Sequence, residues 1–228
     1  MDKFDIFIST KSDLTEAVEK YGFLPLFANS VPGFSIEENV SPDVWYTSGS
    51  SEWPVWEWKG PVINELCCAY GKFFENKAVF VSREWFADLA NYRRDGYDFD
   101  ARFDDGLVPP RDKELFDLVE SNAPVLSKRL KALGDYRTGG KKGFDPVITK
   151  LQRQCYVLIS DFVYERDSKG NAYGWGVAEY STPELFLGED FTQNVYKRKP
   201  EESYARITEH LRAMLPHASE RDIAKILK

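Results

Sequence analysis

Histidine is scarce in this sequence: 228 residues contain only two, His210 and His217. They lie seven apart near the C-terminus, and neither belongs to an HExxH or comparable metal-ligand spacing. A serine or cysteine nucleophile activated by imidazole would have to reach one of these two. Cysteine is equally sparse. The three thiols, Cys67, Cys68 and Cys155, provide neither a disulfide framework nor a Cys-x-x-Cys knuckle, which points to a reducing, cytoplasmic setting. No apolar run approaches the roughly 18 residues of a membrane span, and MDKFDIFIST has no signal-peptide apolar region, so no membrane partner is expected. Glycine-rich phosphate cradles of the G-x-G-x-x-G or G-x-x-x-x-G-K-[ST] type are missing too. No cofactor and no metal are expected.

Aromatic residues are plentiful. Six Trp, 12 Tyr and 16 Phe make up 15% of the chain, enough for a substantial core. The length fits one elaborated domain or two small ones. Net charge is −7, which argues against a generally basic surface. Its distribution tells more. Residues 125–154 carry eight cations against two carboxylates, a local +6, and leave −13 for the rest of the chain. One concentrated patch on an acidic body is a local footprint for a polyanion.

Hydrophobic spacing predicts a first helix over 12–22, with Ser12 as N-cap and Gly22 as its stop. Residues 23–58 read as loop-rich, and Pro61 as the start of a second helix with Val62, Ile63, Leu66, Cys67, Tyr70 and Phe74 on its apolar face. A short strand, 78–81, precedes a helix capped by Ser82, with Trp85, Phe86, Leu89 and Ala90 turned inward. The acidic run 95–110, ending in Pro-Pro, reads as a boundary. Beyond it, Leu115, Phe116 and Val119 mark one helix. Val125, Leu126, Leu130 and Leu133 mark a second, ended by Gly134. After the turn TGGKKG, Asp145 and Pro146 supply an N-cap and first-turn proline for a third, 146–154. That helix turns Val147, Ile148 and Leu151 to one face, leaves Thr149, Lys150 and Arg153 outward, and puts Gln152 on the flank. Two strand-like runs, 155–165 and 172–181, flank the hairpin-like DSKGN. The tail adds a start at Thr182–Pro183–Glu184, a helix with Tyr204, Ile207, Leu211 and Leu215, and a last helix over 219–227. These could pack on the core or form a dimer face.

Three helices followed by a hairpin, in about 70 residues, is the order of a winged helix-turn-helix. The fold class expected is therefore α+β. A helical, loop-rich region (1–110) would precede the winged helix-turn-helix (111–190), with C-terminal helices (191–228) after it. Such a domain presents its last helix to the major groove, so Thr149, Lys150 and Arg153 would face bases or phosphates. Lys128, Arg129, Lys131, Lys141 and Lys142 would add phosphate contacts, and Arg166 and Lys169 would reach the backbone from the wing tip. Double-stranded DNA is the partner this suggests. Winged helices also serve as protein-binding modules, and outward cations are commonly just solvated.

The strings WPVWEWKGPVI, YGKFFENKAVFVS, NYRRDGYDF, GFDPVITKLQRQCYVLISDFVY and YGWGVAEYSTPE resemble those of AlkZ-related proteins, winged-helix bacterial relatives of the AlkZ-type DNA glycosylases. The resemblance spans about Trp53 to Asp190. It implies a winged-helix architecture and a distant relation to enzymes that excise damaged bases without histidine or metal. Those glycosylases use a Gln-x-Gln pair. Here Gln152-Arg153-Gln154 has Arg in place of the apolar middle residue and falls at a helix end, where i and i+2 diverge by roughly 200°. No catalytic residue is assigned on this basis.

Other features have plainer readings. Trp45, Trp53, Trp56 and Trp58 could stack an unpaired base, but Trp56 and Trp58 on one face of an extended segment would also pack against the following helix, the commoner use of Trp. Asp95, Asp98, Asp100, Asp104 and Asp105 lack cation-loop spacing and read as a solvated linker. Arg93 and Arg94 suit a helix C-terminus. The thiols read as small buried hydrophobes. The leading expectation is a winged-helix nucleic-acid-binding protein. The alternatives are a glycosylase-like enzyme on damaged DNA and a non-catalytic protein-interaction module.

Overall fold

The computed structural model describes residues 4–45, 54–137, 139–170 and 172–228. It is a mixed α+β chain whose helices surround two three-stranded antiparallel sheets. The first sheet comes from the N-terminal half. Helix α1 (Lys11–Tyr21) is capped by Thr10, not by Ser12. Thr10 is extended (φ −134°) and its hydroxyl accepts from Asp13 N, while the Asp13 carboxylate accepts from the Thr10 and Ser9 amides. That reciprocal pair satisfies donors that Ser12, one residue inside the helix, could not. Gly22 ends the helix at φ 74°, in close approach to the Trp85 indole, so neither a side chain nor an ordinary backbone would fit there.

The stretch expected to be loop contains three elements: β1 (Phe23–Pro25), α2 (Pro42–Trp45) and the start of α3 (Pro54–Leu66). Helix α3 opens at Pro54, and Pro61 lies inside it. Its buried stripe Val55, Lys59, Val62 and Ile63 runs straight across Pro61, and burial of that stripe outweighs the lost amide. The helix ends at Leu66, not near 74, because Cys67 turns left-handed (φ 46°). Tyr70 and Phe74 then belong to strand β2 (Ala69–Phe74), joined to β3 (Lys77–Val81) by a tight turn at Glu75 and Asn76, both with positive φ. The sheet order is β1-β3-β2.

Helix α4 (Arg83–Arg94) starts after Ser82, which makes no side-chain cap. Phe86, Leu89 and Ala90 are buried as expected, and Trp85 is partly buried. The acidic run is not a solvated linker. It folds into α5 (Phe99–Asp104), capped by Asp98, and its Phe99 stacks on Phe116 at 3.8 Å between ring centres. Asp100 pairs with Lys113.

The second sheet gathers the next elements. Helix α6 (Pro110–Asn122) leads into β4 (Val125–Leu126), so the second predicted helix begins only at α7 (Ser127–Leu133). Helix α8 (Phe144–Arg153) follows the glycine-rich turn, then β5 (Leu158–Arg166) and β6 (Ala172–Ser181). The sheet order is β4-β6-β5: Val125 faces Tyr180, and Phe162 faces Ala178. Helix α8 is introduced by Gly143 (φ 87°), with Asp145 and Pro146 inside its first turn and no side-chain cap.

Four helices close the chain: α9 (Pro183–Leu187), α10 (Glu189–Asn194), α11 (Pro200–Met214) and α12 (Glu220–Ile226). They pack on the core. Asn91 of α4 donates to Arg198 O and Ser203 Oγ, and Ser203 donates to Asp88. His210 stacks on Trp85 at 4.0 Å and meets Tyr21 O at 2.8 Å, and burial pushes its pKa down. Arg94, read from the sequence as a cation suited to a helix C-terminus, is also buried. It donates to Cys155 O, Glu184 and Tyr196 Oη, and its guanidinium lies over the Tyr156 ring at 4.7 Å. Burial opposes its charge, but Glu184 and Tyr196 more than offset this and raise its pKa. The buried residues from Ile8 to Leu227 form one contiguous cluster.

Candidate nucleic-acid interface

Helix α8 is positioned by its apolar face. Val147, Ile148 and Leu151 are buried, which turns Thr149, Lys150 and Arg153 outward as their spacing predicts. Gln152 departs from prediction. It is fully buried, its Oε1 accepting from the Lys72 amide at 3.1 Å and its Nε2 donating to Ile148 O at 3.2 Å. It therefore joins α8 to strand β2. Gln154, at the C-cap, is partly exposed. The two amides do not converge.

The ten predicted contact residues fall into two classes. Lys128 pairs with Glu165, Lys141 with Glu114, Lys131 with Asp145 at 3.4 Å, and Lys150 with the buried Asp112 at 2.6 Å. Thr149 accepts from Lys72 Nζ at 3.3 Å, and Arg166 donates to Gly170 O at 2.8 Å. Arg129, Lys142, Arg153 and Lys169 are exposed and have no carboxylate partner among the described residues. The side chains therefore offer fewer uncommitted cations than the sequence count suggests. Hydrogen bonding to Glu114 also raises the pKa of Lys141, holding its charge in that pair.

Two open recesses share Asp145. One is lined by Lys131, Tyr136, Arg137, Lys141 and Lys142 on the glycine-rich turn. The turn is closed by Arg111, which donates to Lys142 O and would collide with any Cβ at Gly143. The other recess is lined by Thr149, Lys150 and Arg153 together with Lys72 and Asn76 from the β2–β3 hairpin. Sequence reasoning missed Lys72 and Asn76. The only local hint is that Lys72 is the one exposed position in an otherwise buried strand. Arg166 and Lys169 stand apart, at the tip of the β5–β6 hairpin.

Tryptophan serves packing here. Trp45, Trp56 and Trp58 lean on the core, and Trp53 lies outside the described residues. Trp56 and Trp58 sit on a helix, not on an extended segment, so they point to different sides. Trp56 meets Trp45 at 5.6 Å, Phe27 at 5.8 Å and the exposed Trp175 at 6.3 Å. Cys68 and Cys155 are buried, which pushes their thiols up to about 12, while Cys67 is only partly buried. Among the described residues, no cluster of three His, Cys, Asp or Glu side chains is placed to hold a metal, and no helix is long and apolar enough to cross a membrane.

No curated protein and no solved structure matches the chain. A protein-family model described as AlkZ related matches residues 8–228. Nearly the whole chain is covered, far beyond the segment that carried the resemblance in sequence, and the protein belongs to the AlkZ-related family.

Proposed function

We propose that residues 111–190 form a winged helix-turn-helix that binds duplex DNA chiefly through its phosphates, flanked by the 1–110 and 191–228 segments. The observation that carries this reading is one of order and pairing. Helix α6, strand β4, helices α7 and α8 and the β5–β6 hairpin follow one another, with β4 paired to the last strand. In that arrangement α8 is the helix offered to a groove and the hairpin is the wing. Arg129, Lys142 and Arg153 supply cations that no carboxylate among the described residues holds. Lys141 and Lys150 contribute less, because a phosphate must compete with Glu114 and Asp112.

Replacing Arg129, Lys142 and Arg153 together by Ala tests this. Each cation that no longer neutralises a phosphate should flatten the salt dependence of duplex affinity by about 0.9, so the slope of the triple variant falls by up to about 2.7. Unchanged duplex affinity would leave the patch a solvated surface and favour a protein-binding role.

A glycosylase-like activity on damaged bases is the second reading, favoured by membership of the AlkZ-related family. Its test is release of alkylated base from treated DNA. Gln152 and Gln154 are not arranged to share a substrate, so any activity would have to use other groups.

A further inference from the structure

Strand β2 exposes a single side chain, Lys72, and turns it toward helix α8. Its ammonium donates to the Thr149 hydroxyl at 3.3 Å and meets no carboxylate among the described residues. An ammonium resting on a hydroxyl is open to an anion, whereas one held by a carboxylate must first give up a charge-assisted bond. The recess between α8 and the β2–β3 hairpin therefore holds two cations of that kind, Lys72 and Arg153. Its third, Lys150, is taken by Asp112, and its one carboxylate, Asp145, faces Lys131 at 3.4 Å. The hairpin's own acid, Glu75, accepts from the Ser30 amide and pairs with Lys225 at 3.1 Å, and it does not line the recess.

The position of Lys72 is fixed from below by two side chains. Gln152, fully buried on α8, accepts from the Lys72 amide at 3.1 Å. Gly71 leaves room for it, since a Cβ there would meet Gln152 Oε1 at 3.2 Å and the Phe73 ring at 2.8 Å. Arg93 of α4 adds a second tie, donating to Phe73 O of β2 at 3.0 Å and to Arg153 O at the end of α8 at 3.3 Å. The strand and the helix are thus held together at backbone level on both sides of Lys72, and the hairpin stands as a fixed wall beside α8.

We infer that Lys72 is a phosphate-binding residue of the duplex interface, and that Gln152 is the positioning residue that aims it. This rests on the nucleic-acid reading above. A helix lying in the major groove has a sugar-phosphate strand along each rim, so an element clamped beside that helix meets phosphates and not base edges. Lys72 stands at that place beside α8. Gln152 is fully buried and cannot itself touch a duplex, so it acts only through the strand it holds. The interface then draws on both sides of the acidic run 95–110: the N-terminal half supplies one wall and the winged-helix segment the other.

Duplex affinity of the full chain, measured from 50 to 200 mM salt, tests the inference with Lys72→Ala and Lys77→Ala. Lys77 lies on the same hairpin but donates to Ala28 O and does not line the recess, so it controls for bulk charge. Lys72→Ala should flatten the salt slope by about 0.9, so that its affinity deficit shrinks about 3.5-fold across that range, while Lys77→Ala leaves the slope unchanged. Gln152→Met, which keeps the shape and loses the acceptor, should weaken binding in the wild-type background and add nothing to Lys72→Ala. On the unaltered chain, bound duplex should protect Lys72 from acetylation while Lys77 stays reactive, a readout that needs no variant to fold. With duplex binding intact, an unchanged slope in Lys72→Ala, an equal loss in Lys77→Ala, or an unprotected Lys72 overturns this inference alone. Equal losses from Gln152→Met in both backgrounds overturn the positioning role. Absence of duplex binding by the wild type overturns the inference together with the nucleic-acid reading.

Discussion

Lys59 makes folding pH-dependent in an unusual direction. Its pKa is about 8 in the folded chain and near 10.4 unfolded, so between these values the unfolded chain binds more protons. Stability therefore rises as pH climbs from about 8 to 10.4, and below 8 the full penalty for burying the ammonium is present. Lys59→Met should stabilise the protein at pH 7 by about 2–3 kcal/mol in urea denaturation and abolish that rise. The buried thiols act oppositely above pH 9, so the comparison must be between wild type and variant at each pH. Arg94 shows the reverse case, a buried cation fully satisfied. Arg94→Met should cost about 2–4 kcal/mol, since it strands the Cys155 carbonyl and frees α9 from α4. Neither role was legible in the sequence. Lys59 carries no local sign of burial, and Arg94 reads as a helix-end cation, because Phe162 for the one and Cys155, Glu184 and Tyr196 for the other lie about 60 to 100 residues away.

At the scale of elements, the sequence specified α1, β3, α4, α6, α8 and the β5–β6 hairpin within a few residues. It failed where two local rules competed. Pro61 carries a strong helix-start signal, but the stripe Val55, Lys59, Val62, Ile63 continues through it, and tertiary burial decided. Tyr70 and Phe74, four apart, satisfy a helical face and a strand equally well. Gln152 sits at a helix position that periodicity puts on the flank, but the Lys72 amide of β2 draws it inward. Gln152→Ala should therefore cost about 1–3 kcal/mol by leaving that amide unpaired, and Gln154→Ala less than about 0.5. Equal and small effects of the two on stability would contradict the joint between α8 and β2.

At the scale of the whole molecule, the charge count of residues 125–154 overstates how many cations the candidate interface has free. The +6 segment is real, but carboxylates of α6, α8 and β5 take up four of its lysines, and those pairings depend on the fold. What remains of the segment is a small set of cations with no carboxylate partner among the described residues, Arg129, Arg137, Lys142 and Arg153, while Lys169 stands apart at the hairpin tip. The β2–β3 hairpin adds Lys72 from a region the sequence assigned to a separate part of the chain. Such a surface should bind duplex with a moderate salt dependence, steeper than a solvated face and shallower than a dedicated polycation.

The most direct measurement is fluorescence anisotropy of a labelled duplex titrated with the protein at 50 and 200 mM salt. Four or five phosphate contacts predict a slope of roughly −4 in log affinity against log salt, a loss of about 10²–10³-fold across that range. Binding that is absent at 50 mM salt, or that is indifferent to salt, would contradict a phosphate-binding interface.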